Sequence, residues 1–264
     1  MTTAFAEDHL PDGQKTIQTT NVKRSKVFIQ LLTDPERRKT KMGLITGLPG
    51  MGKTIAAQDY LDNLAPHAHT ALPIAIKIKV KLRSTPLALA KVIMDGLQEK
   101  YRGNTIFEIA DEAAAAIERN DLKLIIVDEA DRLKMAGLEQ MRDLYDRGQL
   151  GLVLIGMPGL EKRLARYAQL YSRVGFVHQF RTLSTEEMQF ILAHKWQQLG
   201  LNLTPNDFTD AEAVAAITRI TAGNFRLIQR LFAQIDRILQ INELRTVTKE
   251  VVEAARETLV VGPR

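Results

Sequence analysis

Two short stretches hold residues whose types and spacing suit phosphoryl chemistry. The first is Gly47-Leu48-Pro49-Gly50-Met51-Gly52-Lys53-Thr54, which fits G-x-x-x-x-G-K-[ST] at every fixed position. Its glycines let the backbone fold tightly enough for successive N–H groups to face phosphates. Lys53 is then expected to reach the β- and γ-phosphates, and Thr54 to ligate Mg²⁺. The second stretch is Asp128-Glu129, at the end of the apolar run that starts at Leu122. Asp128 is expected to hold Mg²⁺ through its water shell, and Glu129 to orient or deprotonate the attacking water. The expected cofactors are therefore ATP and Mg²⁺. Gly47 to Thr54, Ile55 and Asp128 form the binding set, and Lys53 and Glu129 are catalytic. Asp131 is expected to cap a helix or contact a neighbour.

The flanks supply the elements these residues need. Met42 to Thr46 is an apolar run, and Ile55 to Leu64 is an Ala-rich helical pattern, so the loop joins a strand to a helix. Leu122 to Asp128 and Leu150 to Gly156 read as buried strands, and Gly175 to Phe180 as a last short one. Helices are predicted over 85–101, 106–118, 138–145 and 160–171. Strands alternating with helices predict a parallel α/β sheet with its sites at the carboxyl ends of the strands. From Ser184 the pattern is helical alone. Ser184-x-x-Glu187 and Thr209-x-x-Glu212 read as capping boxes, Gly223-Asn224-Phe225-Arg226 opens a long apolar helix, and a last helix spans about 248–259. The expected organisation is an arm over 1–21 without periodicity, an α/β domain over 22–183 that opens with a basic helix from Val22 to Leu32, and a helical lid over 184–264.

Ile74 to Arg83 alternates strictly, with Ile74, Ile76, Ile78, Val80 and Leu82 on one face and Lys77, Lys79, Lys81 and Arg83 on the other. A central parallel strand is apolar on both faces, so this strand must lie at an edge or run out of the core. Its basic row either protects that edge or donates to a phosphate backbone. The run Arg37, Arg38, Lys39 and Lys41 reads as a solvated face.

The 264 residues are 45% apolar, enough for a real core, and the net charge is +5. With no cysteine there is neither a disulfide nor a thiolate metal site, which suits a reducing cytoplasm, the expected location. No apolar run approaches the ~20 residues of a membrane span, and the first twenty residues lack a signal-peptide core, so no membrane role is expected.

In order, the chain shows a phosphate loop, an Asp-Glu strand end, a third strand, an arginine before a short strand, and a helical region with an early Gly-Asn-x-Arg. This order resembles the AAA+ ATPases: P-loop NTPases with a three-layer α/β domain and a small helical lid. DEADRL at 128–133, LVLIGMPGLEKRL at 152–164, SRVGF at 172–176 and AGNFRLIQRL at 222–231 resemble the transposition regulators of the MuB, TnsC and TniB group. The resemblance implies that Arg173 is the arginine finger, reaching the γ-phosphate held by an adjacent subunit, and that Arg226 is the lid arginine that touches the nucleotide. It implies a homo-oligomer, a ring or helical filament, wrapped on duplex DNA without sequence preference and recruiting a transposase. Lys77, Lys79, Lys81, Arg83, Ser84 and Thr85 fall where that family's DNA-facing segment falls. One departure is Met157, at the position where a polar side chain usually senses the γ-phosphate; slow, partner-stimulated hydrolysis is consistent with it.

The string DEAD at 128–131 also occurs in RNA helicases, which need a second RecA-like domain that residues 184–264 do not supply. A secretion ATPase is expected to bring a membrane span or wall-binding module, and a replication initiator or helicase loader a winged-helix or helix-turn-helix reader after the lid. An ATP-binding assembly switch with negligible hydrolysis is the remaining alternative.

Overall fold

Residues 7–9, 15–33, 42–65, 73–82, 84–147, 150–204 and 207–259 are described by a computed structural model. They fall into two compact units, one ending at Phe180 and the other beginning at Arg181. The first opens with β1 (Glu7–His9), β2 (Lys15–Ile17) and α1 (Thr20–Thr33). It continues through β3 (Met42–Thr46), α2 (Lys53–Asp62), β4 (Ala75–Lys79), α3 (Pro86–Gly96), α4 (Ile106–Arg119) and β5 (Leu124–Asp128). It closes with α5 (Met135–Arg147), β6 (Gly151–Gly156), α6 (Leu160–Ala165), α7 (Ala168–Tyr171) and β7 (Val174–Gln179).

Five strands form one parallel sheet in the order β4-β5-β6-β3-β7, with Ile76 paired to Ile125, Ile126 to Val153 and Leu44 to Leu154. Alternation along each strand separates two cores. Met42, Leu44, Ile125, Val127, Leu152 and Leu154 pack with Leu89 and Ile93 of α3 and Ala113 of α4. Ile45, Leu124, Ile126, Val153 and Ile155 pack with Phe28 and Ile29 of α1 and Ala56 and Tyr60 of α2. The result is helix, sheet and helix in three layers, with β3 and β5 delivering the phosphate loop and Asp128-Glu129 to the same end of the sheet.

β4 stands at the edge, one of the two placements its charge pattern allows. Ile76 and Ile78 join the α3 and α4 core, whereas Ala75 joins the α1 and α2 core. The pleat therefore turns Lys77 and Lys79 toward the α2 side of the sheet.

The amino-terminal arm carries more structure than its composition predicts, because β1 and β2 pair antiparallel, Glu7 with Ile17 and His9 with Lys15. Strands of three residues are too short to leave a periodic signal. Gln18 and Thr19 are buried, and Gln18 Nε2 donates to Asp59 Oδ2 of α2 at 3.2 Å. Lys26 of α1 pairs with that same carboxylate at 2.5 Å, with the Asp59 side chain only 1% exposed. The predicted helix over 160–171 is two helices, α6 and α7, broken around Arg166 and Tyr167. Arg37, Arg38, Lys39, Lys41 and Arg83 lie outside the described residues.

The second unit contains α8 (Thr185–Gln198), α9 (Phe208–Thr221), α10 (Phe225–Ile241) and α11 (Lys249–Glu257). The Ser184 and Glu187 capping box forms with both reciprocal bonds. The second predicted box does not form. Asp207 caps α9 instead, accepting from the N–H groups of Thr209 and Asp210 at 2.9 and 3.2 Å. An aspartate just ahead of the helix satisfies two orphan donors and displaces Thr209 from the cap position. Asn224 caps α10 by accepting from Arg226 and Leu227, and Thr248 caps α11. Trp196 and Phe232 meet edge to face inside this unit, their ring centroids 5.4 Å apart.

Candidate functional site

Gly50 and Gly52 sit at φ 79° and 92°, in the left-handed region that a side chain strains. These two turns bring the loop over the start of α2, whose N-terminal N–H groups and dipole favour an anion. Lys53 Nζ donates to the carbonyls of Gly47 and Leu48 at 2.6 and 2.9 Å, so the ammonium lies within the loop's curve. Leu48 and Ile55 are half exposed around it.

Thr54 Oγ1 donates to Asp128 Oδ2 at 2.8 Å, and Asp128, 4% exposed, also accepts the Glu129 N–H at 2.9 Å. A hydroxyl and a carboxylate in contact are the hard oxygen donors Mg²⁺ prefers, leaving its other positions to water and phosphate oxygens. Thr54 and Asp128 therefore fit the ion. Bound there, it would neutralise charge on a nucleotide's β- and γ-phosphates.

Glu129 adopts φ 58° and ψ 37°, a left-handed conformation that costs about 1–3 kcal/mol for a non-glycine residue. Its carboxylate pairs with Arg132 and, at 3.5 Å, with Lys79 Nζ of β4. Arg132 Nη1 also donates to the Val80 carbonyl at 3.4 Å. The candidate base is thus tied to the end of the basic strand by two cations.

The four-member basic row is not one surface. Lys77 donates to Gln58 of α2, and burial pushes its ammonium pKa below 10.5 against the opposing pull of Asp128 and Asp62. Lys79 goes to Glu129, and Lys81 is exposed. Ser84 Oγ closes the turn on the Lys81 carbonyl at 2.8 Å, and Thr85 caps α3 by accepting from Ala88 N–H at 3.2 Å.

Met157 meets the Asp128–Leu133 segment through its backbone, where its N–H donates to Asp131 Oδ1 at 3.1 Å. Arg163 of α6 donates to the Asp131 carbonyl at 2.7 Å and to the Leu133 carbonyl. Asp131 thus contacts the end of β6. Arg173 stands just before β7, with its guanidinium on Asp146 of α5 at 2.6 and 2.8 Å. Arg226 is exposed in the first turn of α10, in the second unit.

Sequence reasoning missed Arg132 and Asp146. Arg132 was signalled by its i,i+3 spacing from Glu129, whereas nothing local marks Asp146, which is joined to Arg173 only by the fold.

Residues 36–164 match the AAA domain family. A potential ATP-binding protein of Staphylococcus aureus is 59% identical over 143 residues, 54% of this chain and 53% of that protein. The chain thus spans about half the length of that relative. The Mu-like prophage FluMu DNA transposition protein B of Haemophilus influenzae is 26% identical over 239 residues, 83% of this chain and 76% of that protein. Among solved structures, Pyrobaculum aerophilum Cdc6p superposes with TM-score 0.70 at 16% identity, covering 94% of this chain and 69% of its own. The Aeropyrum pernix ORC1 protein, solved in complex with DNA, gives 0.66 at 20%, covering 90% of this chain and 64% of its own. These structural likenesses speak for the fold. The loop geometry, the Thr54–Asp128 contact and these matches together support an AAA+ ATPase resembling the MuB group.

Proposed function

We propose that the chain binds ATP and Mg²⁺ at the phosphate loop, assembles with ATP into a ring or helical filament, and grips duplex DNA to direct a transposase to its target. The observation that carries this reading is the Lys79–Glu129 ion pair, which joins the candidate catalytic base to the strand expected to meet DNA. A DNA phosphate near Lys79 competes with Glu129 for the same ammonium, and releasing the carboxylate frees it to act on water. Hydrolysis that is slow alone and faster on DNA follows. Arg173 completes the neighbour's site, and Arg226 reaches the nucleotide from the lid over 184–264. Lys79, Lys81 and Arg83, with Ser84 and Thr85 at the turn, meet phosphates without reading bases. The similarity to a transposition protein B supports the biological role, and a cytoplasmic location accords with it.

The test is ATP turnover with and without duplex DNA, alongside negative-stain imaging with ATP, ADP and no nucleotide. Stimulated turnover and ATP-dependent assemblies on DNA are expected. Particles that stay monomeric with ATP and DNA would end this reading. A second reading, an assembly switch that binds ATP and barely hydrolyses it, is favoured by Met157, whose side chain cannot hold the attacking water. Assembly with negligible turnover, on or off DNA, selects it.

A further inference from the structure

Arg173 is fixed by its own subunit at both backbone and side chain. Its N–H donates to the Leu170 carbonyl at 3.1 Å, and its carbonyl accepts the Met42 N–H, so the residue is tied to the end of α7 and the start of β3. The guanidinium meets Asp146 side-on, with Nε donating to Oδ1 at 2.6 Å and Nη2 to Oδ2 at 2.8 Å. Nη1 turns to the Gln169 carbonyl and, at 3.3 Å, to the Ser172 hydroxyl. A guanidinium carries five N–H donors in one plane. The side-on grip takes the Nε proton and the Nη2 proton beside it, leaving the second Nη2 proton on the terminal edge of the fork. Among the described residues no hydrogen bond takes that proton.

We propose that Asp146 is a positioning residue for Arg173, gripping the guanidinium side-on so that its terminal edge is aimed at the nucleotide held by an adjacent copy of this chain. The inference rests on reading Arg173 as the arginine finger. The Asp146 and Arg173 side chains are 36% and 31% exposed, so the pair adds little stability, and its value is geometric. A bidentate carboxylate fixes the plane of a guanidinium, and a γ-phosphate arriving at the terminal edge need not displace it. The arginine then sits between two anions, which offsets the cost of holding a long side chain in one rotamer. The helix that carries Asp146 is tied to α7: Glu139 and Arg142, on the same face of α5, pair at 2.9 Å, and Arg142 donates to Gln169 of α7. α5 begins just past Leu133, whose carbonyl Arg163 binds, so one helix runs from the subunit's own Asp128–Leu133 segment to the arginine offered to its neighbour.

The test uses the full chain with saturating ATP, Mg²⁺ and duplex DNA. Asp146→Ala is expected to lower turnover about tenfold to a hundredfold, the loss typical of a misplaced catalytic group, with half-saturating ATP and ATP-dependent assembly unchanged. Asp146→Asn keeps the shape but not the charge, is expected to fall between wild type and Asp146→Ala, and carries the test should the alanine variant fail to fold. Mixing Asp146→Ala with Glu129→Gln subunits is expected to restore turnover, because the Glu129→Gln subunit, unable to hydrolyse, still lends a well-held Arg173. A merely structural role for Asp146 would shift assembly or the melting temperature and would not be rescued by mixing. Wild-type or faster turnover in both Asp146 variants overturns the proposal while leaving Arg173 as the finger. Wild-type turnover in Arg173→Ala instead overturns the finger reading beneath it.

Discussion

Glu129 and Arg173 are both held by ion pairs within their own subunit, but by different kinds of neighbour. Glu129 lies between Lys79 on an edge strand and Arg132 in its own turn. Lys79 is 68% exposed and can be drawn away by another anion. Arg173 is seated on a single carboxylate from α5, in a bidentate geometry that Gln169 and the backbone reinforce. The first arrangement suits a group that must be released, and the second a group that must be presented. A third pair, Lys26 and Asp59, uses the same chemistry for neither purpose, since its Asp59 carboxylate is buried and the pair joins α1 to the phosphate-loop helix α2.

The largest expected effect is at Glu129, the candidate base. Glu129→Gln should cut ATP turnover by about 10³-fold while leaving nucleotide affinity and assembly intact, measured by phosphate release and nucleotide titration. Retained turnover would move the base elsewhere and remove one side of the contrast. Next comes Asp59→Ala, which removes the buried carboxylate shared by Gln18 and the half-buried Lys26; denaturant unfolding should show a loss of about 1–3 kcal/mol. A loss below about 1 kcal/mol would make that pair no different from the exposed ones. Replacing Lys79 and Lys81 together with Ala should weaken binding to all duplex sequences alike and flatten the dependence of log affinity on log salt by roughly two units. An unchanged slope would return β4 to edge protection. The smallest effect is for Lys79→Ala alone, where Glu129 keeps only Arg132 and DNA-free turnover should rise about twofold to fivefold; a fall would mean that Lys79 supports the base rather than restraining it.

Local patterns made the candidate nucleotide site legible. The G-x-x-x-x-G-K-[ST] spacing lies within one loop, and Asp128-Glu129 ends an apolar run, so each half announced itself without knowledge of the fold. The strict alternation of 74–83 predicted a strand that lies at an edge or runs out of the core, and β4, Ala75–Lys79, lies at the edge. The partners of the basic row were not legible, because side chains on one face of a strand share a direction but not a neighbour. Lys77 finds α2 and Lys79 finds the Asp128–Leu133 segment, each set by elements distant in the chain. Asp146 was hidden for the same reason. The Thr209 box failed for a local reason: the Asp207 carboxylate, which satisfies two N–H groups, outcompeted it.

The pleat of β4 has a consequence for how this segment can vary in length. Side chains alternate across a strand, so inserting or deleting one residue within it would exchange the faces of the residues beyond that point. Ile76 and Ile78 would then swing toward α2 and the loop of Lys53, and the two ammonium groups would enter the apolar layer beneath α3 and α4. Insertions of single residues between 75 and 79 should therefore be lethal to folding, whereas substitutions that keep parity should survive. Natural variants of this strand should conserve its phase more strictly than its identities.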